Sequence, residues 1–134
     1  MMENDELNEI IKAAKQGLSW AQYDVGKFYE YGKGVERAYE IAVKWYTLAA
    51  EQGHAAAQYS LGTMYNRGNG VPKNYKTAMR WYLLATDQRN ADAQLAVGDA
   101  FKFGMGVEKN YQTAVNWFTL AAEQEHVDAQ WILG

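Results

Sequence analysis

The chain has no cysteine, one proline (Pro72) and two histidines in 134 residues. Without cysteine there is no disulfide framework and no thiolate nucleophile. No apolar stretch reaches about 18 residues, so no transmembrane helix is expected. The N-terminal MMENDELNE is acidic and lacks the apolar core of a signal peptide. Basic charge is also short: 13 Lys and Arg against 16 Asp and Glu leave a net charge of −3. No helix-length segment carries a run of Lys and Arg, whereas nucleic-acid binders usually carry a basic stripe. Neither nucleic acid nor membrane is therefore the expected partner. The expected location is the cytoplasm; the alternative is export, with a signal peptide outside these residues.

What the chain does have is a period of 36 residues. Ala21-Gln22 recurs as Ala57-Gln58, Ala93-Gln94 and Ala129-Gln130. Gly26, Gly62, Gly98 and Gly134 keep the same step, as do Trp45, Trp81 and Trp117, and Tyr39, Tyr75 and Tyr111. A fixed period of this size marks a solenoid, which offers an extended surface rather than an enclosed pocket.

Within the unit 57–92, Ala57, Leu61, Gly62 and Tyr65 follow helical spacing. The loop GNGVPKN stops that helix, with Gly68 placed past its end. Tyr75, Ala78, Trp81, Tyr82 and Ala85 mark a second amphipathic helix, with Asn74 as its N-cap. Each unit thus reads as helix A, loop, helix B. Glycine inside helix A costs about 1 kcal/mol relative to alanine. Its recurrence at 26, 62 and 98 predicts close approach of a large helix B side chain, for which Trp45, Trp81 and Trp117 are the expected partners.

The units run 21–56, 57–92 and 93–128, preceded by a lone helix B in 5–20 and followed by the start of a fourth unit in 129–134. Leu7, Ile10, Ala13 and Ala14 form the apolar face of the first helix, and Glu3, Asp5, Glu6, Asn8 and Glu9 its polar face, as an end cap requires. Trp131, Ile132 and Leu133 lack a following helix B, which predicts a longer array or self-association through this end.

The run AQYSLGTMYNRGNGVPKNYKTAMRWYLLATDQ resembles the Sel-one-like repeat (SLR), a relative of the tetratricopeptide repeat. Ala57, Leu61, Gly62, Tyr65, Gly68, Gly70 and Val71 match the first half of its pattern, and Tyr75, Ala78, Trp81, Tyr82 and Ala85 the second. Thr86 departs from the pattern, and Arg89 and Glu125 stand where Gly17 and Gly53 fill the inter-unit turn. The resemblance implies an all-α, right-handed α/α superhelical solenoid of antiparallel helix pairs. It further implies a non-catalytic scaffold or adaptor for a protein or peptide partner, with helix A on the concave wall. Many bacterial members look like parts of signalling or host-interaction systems.

Positions that differ between units are the candidate contact surface. Along helix A they fall at 20, 24, 27 and 31, one stripe at steps of 4, 3 and 4. The stripe reads Trp20, Asp24, Lys27, Tyr31 in the first unit. It continues as Ala56, Ser60, Thr63, Arg67 and then Asp92, Ala96, Asp99, Phe103. Tyr31, Arg67 and Phe103 are the expected anchors, since aromatic and Arg side chains dominate interface energetics.

No constellation for catalysis stands out, and no cofactor or metal is expected. The Gly-x-Gly pairs follow a helix rather than a strand, and no Gly-Lys-Ser/Thr run follows them. His54 and His126 occupy the same turn two units apart, too far to share a metal. Glu51, Asp87 and Glu123 recur at one place in helix B and read as a solvated face.

Overall fold

Small and apolar residues at helical spacing, interrupted by glycine at a fixed period, fold into a row of helix pairs. The computed structural model describes residues 4–124. They form seven α-helices: α1 (Asn4–Lys15), α2 (Ser19–Tyr31), α3 (Tyr39–Glu51), α4 (Ala55–Arg67), α5 (Tyr75–Thr86), α6 (Ala91–Phe103) and α7 (Tyr111–Glu123). Among the described residues there is no strand. α2, α4 and α6 are the A helices; α1, α3, α5 and α7 are the B helices. The sequence-derived unit boundaries at 21, 57 and 93 fall two residues inside α2, α4 and α6. Every substantial interface joins helices adjacent in sequence, and the A–B contacts within a unit are the larger ones.

The two glycines of each loop do different work. Gly68 ends α4 in the left-handed conformation (φ 72°) with its N–H on the Met64 carbonyl. Gly70 lies against the preceding unit, where a Cβ would come within 2.6 Å of the Tyr39 carbonyl. Each pair is thus a helix stop followed by an inter-unit contact. The next helix begins at Asn74, whose Oδ1 accepts from the Thr77 N–H at 3.0 Å. Asn110 does the same for Thr113. His54 caps α4 through Nδ1, which accepts from the Ala57 N–H at 3.1 Å, and Asn90 caps α6 in the same way at 2.8 Å. At the inter-unit turn, Arg89 takes a positive φ of 61°, where Gly17 and Gly53 have 97° and 90°. The turn is kept, and a side-chain-bearing residue bears the strain.

The helix glycines do not meet the tryptophans. A Cβ on Gly26 would lie 2.5 Å from the Tyr46 ring, one on Gly62 2.7 Å from the Tyr82 ring, and one on Gly98 2.5 Å from the Phe118 ring. The residue after each tryptophan, turned about 100° round the helix, crosses beneath the A helix. The tryptophans are only partly buried. Trp45 covers the core between α1 and α2, Trp81 that between α3 and α4, and Trp117 that between α5 and α6.

A second device joins the units. Gln22, Gln58 and Gln94 are buried polar side chains. Gln22 and Gln58 donate to the Ala14 and Ala50 carbonyls of the preceding B helix. Their Oε1 atoms accept from Gln52 and Gln88, at 2.7 and 3.0 Å, and Gln124 donates to Gln94 at 2.7 Å. Gln52 and Gln88 also donate to the Gly17 and Gly53 carbonyls of the previous turn. This amide ladder satisfies buried polar groups that would each cost about 1–3 kcal/mol unpaired.

Candidate functional site: the grooves between A helices

Because each B-helix aromatic passes beneath an A helix, its far end reaches the opposite face of the solenoid. The Tyr46 hydroxyl donates to Glu30 at 2.5 Å. The Tyr82 hydroxyl lies 3.0 Å from the Thr63 hydroxyl, at the floor of a groove between α4 and α6. Burial pushes the Tyr82 phenol up to about 12, against the lowering effect of its bond to Thr63. Phe118, at the same place in the next unit, has no hydroxyl to offer.

Among the described residues, two adjoining grooves lie along this face. One, of about 100 Å³, is lined by Glu30, Tyr31, Tyr59, Ser60, Thr63 and Arg67. The other, of about 210 Å³, is lined by Tyr59, Thr63, Asn66, Arg67, Tyr82, Asp92, Leu95, Ala96, Asp99 and Met105. They share Tyr59, Thr63 and Arg67, so they adjoin across α4. Both are smaller than the about 300–1,000 Å³ of sites that enclose a drug-sized ligand.

Of the residues singled out by sequence, Tyr31, Ser60, Thr63 and Arg67 line the first groove, and Thr63, Arg67, Asp92, Ala96 and Asp99 the second. Trp20, Asp24, Lys27 and Phe103 line neither. Trp20 and Phe103 are 50% and 58% exposed. Lys27 pairs with Asp24 at 3.8 Å and sits over the Tyr23 ring, and Lys102 sits over the Phe103 ring at 5.2 Å. Sequence reasoning missed Glu30, Tyr59, Asn66, Tyr82, Leu95 and Met105 as groove residues. A signal for four of these (Glu30, Tyr59, Asn66 and Leu95) existed: 23, 59 and 95 read Tyr, Tyr, Leu, and 30, 66 and 102 read Glu, Asn, Lys. These rows also vary between units and run beside the 27/63/99 row at steps of 4 and 3.

The electrostatics are mixed. Tyr23 and Tyr59 are held above the usual phenol range by burial, partly offset by hydrogen bonds to Ser60 and Thr63 respectively. Tyr23 stacks on His54 with ring centroids 4.8 Å apart, and burial lowers the His54 pKa. Burial raises the Asp99 carboxyl, with the Lys102 ammonium opposing. Among the described residues, no group of three or more His, Cys, Asp and Glu side chains is arranged to hold a metal ion. No described helix is long and apolar enough to cross a membrane.

A protein-family model, the Sel1 repeat, matches residues 21–54, 55–90 and 91–126 in succession. The chain belongs to the Sel1 repeat family. Sel1 repeats commonly serve as protein-interaction modules and are generally non-catalytic scaffolds. The Sel1 repeat protein from Oxalobacter formigenes has a similar structure (TM-score 0.93, 34% identity), covering 98% of this chain and 38% of that one. So does c5321, a protective antigen of uropathogenic Escherichia coli strains displaying an SLR fold (TM-score 0.87, 40% identity), covering 90% of this chain and 26% of that one. Helicobacter pylori cysteine rich protein B shares the fold (TM-score 0.76, 22% identity), with 95% and 94% covered. In sequence, 47 residues are 48% identical to the chitin synthase regulator SKT5 of Saccharomyces cerevisiae, 35% of this chain and 7% of that protein. The chain thus spans a minor part of SKT5 and of the first two structures.

Proposed function

We propose that this Sel1 repeat array is a scaffold that holds a segment of a partner protein along the grooves between its A helices. The carrying observation is the contrast between framework and groove. The ladder glutamines and helix glycines repeat in every unit, while the groove positions change from Ser60 to Ala96 and from Thr63 to Asp99. A surface of varied side chains on a repeated framework suits sequence-specific contact. Two small adjoining grooves suit an extended chain better than a compact small molecule.

The test is a pull-down from lysate of the source cell, comparing the native chain with a Tyr31→Ala/Arg67→Ala variant and with Phe103→Ala, each checked for native helicity. The first variant alters the shared grooves and the second an exposed ring outside them. A protein captured by the native chain and by Phe103→Ala, but lost from the groove variant, supports the reading. Equal capture by all three moves the contact surface elsewhere. Self-association through Trp131, Ile132 and Leu133 lies outside the described residues; concentration-dependent mass in light scattering tests it.

A further inference from the structure

The groove between α4 and α6 differs from its neighbour in one respect that bears on what it holds. Its lining is mixed, with Tyr59, Tyr82, Leu95 and Met105 beside Thr63, Asn66, Arg67 and Asp92, and a carboxylate without a hydrogen-bond partner, Asp99, lies among them. Asp99 is half-buried, and among the described residues it accepts no hydrogen bond and forms no ion pair. Lys102, one turn on along the same helix, is the cation that acts on it, and the Lys102 ammonium rests over the Phe103 ring. The corresponding positions in the other units are Lys27, which pairs with Asp24, and Thr63, which bonds to Tyr59 and Tyr82. Among the described residues, only the third unit leaves this position charged with neither a hydrogen bond nor an ion pair, Lys102 acting on it from a distance.

A partly desolvated carboxylate without a donor is costly in the free protein. The informative feature of a surface is a polar group that burial has deprived of water, not an exposed charge such as Arg67 at the rim. We propose that the groove between α4 and α6 takes a lysine or arginine side chain of the partner peptide, with Asp99 as its counter-charge. This rests on the peptide-binding reading and names the chemistry of its occupant. The aliphatic stem packs on Leu95 and Met105, and the cation approaches Asp99 beside the Tyr59 face, an arrangement in which rings also attract cations. Asp92 and Arg67 line the same groove with opposite charges, which leaves Asp99 as the carboxylate at hand for an incoming cation. The volume of about 210 Å³ is of the scale of one or two side chains.

The test is a selection of random dodecapeptides displayed on phage against the native chain, followed by affinity measurements on the enriched peptides. Expected is enrichment of one Lys or Arg position whose replacement by Ala weakens binding about tenfold, a loss of about 1.4 kcal/mol. Asp99→Asn weakens the parent peptide by a similar factor and leaves the Ala-substituted peptide unaffected; Asp99→Lys binds a peptide with Asp at that position in place of the basic residue. Peptides that lose binding to Tyr31→Ala/Arg67→Ala but carry no basic preference overturn this inference and leave the groove reading standing. Peptides that bind that variant as well as the native chain, or no enrichment at all, overturn both.

Discussion

Replacing Gly62 by alanine tests the crossing of Tyr82 beneath α4. The added methyl would stand 2.7 Å from two ring carbons of Tyr82 and 3.2 Å from the Ala78 carbonyl oxygen. Carbon atoms in ordinary contact lie about 3.5–4.0 Å apart, so the ring must retreat by about 1 Å. It has little room: Tyr82 is 5% exposed and its hydroxyl is tied to Thr63. Overpacking costs about 1–3 kcal/mol, and an overlap of about 1 Å with a buried ring falls in the upper part of that range, about 2–3 kcal/mol, while alanine returns about 1 kcal/mol of helix propensity. The expected net loss is about 1–2 kcal/mol, or roughly 3–8 °C in melting temperature for a chain of this size. Far-ultraviolet circular dichroism during heating and urea titration reads it. A second variant separates packing from helix propensity. In a Tyr82→Leu background the same Gly62→Ala change is expected to be neutral or stabilising, a coupling that marks direct contact. If Gly62→Ala alone is as stable as the native chain, the close approach is not what requires glycine there.

Three further outcomes are expected. Arg89→Gly, which relieves a left-handed residue, raises stability by about 1 kcal/mol in urea titration, whereas Gly53→Arg lowers it by a similar amount. The His54 cap accepts through Nδ1 and is lost on protonation; because burial holds the folded pKa below its ordinary value, the stabilisation is present above the unfolded pKa and is lost as pH falls through the folded one. Stability measured against His54→Asn, which keeps a cap but cannot titrate, therefore falls for the native chain below about pH 6.5, and parallel pH profiles would refute the cap. Gln58→Leu removes the amide that joins Ala50 and Gln88 and strands their polar groups, with an expected loss of about 1–3 kcal/mol; loss of amide-exchange protection across the α3–α4 and α4–α5 contacts locates it.

The repeat, the helix pairing and the glycine stops were legible in the sequence because they recur at a fixed step. Recurrence is also why the aromatic contacts were misread. Trp81 and Tyr82 recur equally well, and adjacent helical residues point about 100° apart, so periodicity alone does not say which faces the partner helix and which the neighbouring core. The roles of His54 and Asn90 were hidden because Leu18, at the corresponding place before α2, has no side-chain cap bond, so the position showed no common chemistry. The groove was half legible. Variation along α2, α4 and α6 marked Tyr31, Thr63, Arg67 and Asp99, but a single-width stripe left out the adjoining row with Tyr59 and Asn66. Tyr82 was beyond reach of that argument, since it reaches the groove floor from a B helix.

The sequential contacts of these helices bear on how such a protein changes over evolutionary time. Each ladder amide ties one turn to the next, and among the described residues no substantial interface joins helices that are not consecutive. A tandem duplication or deletion of one 36-codon cassette therefore meets junctions already matched to it. The length of the recognition surface can change in a single genetic event, while its specificity changes by point substitution at groove positions that carry no part of the ladder.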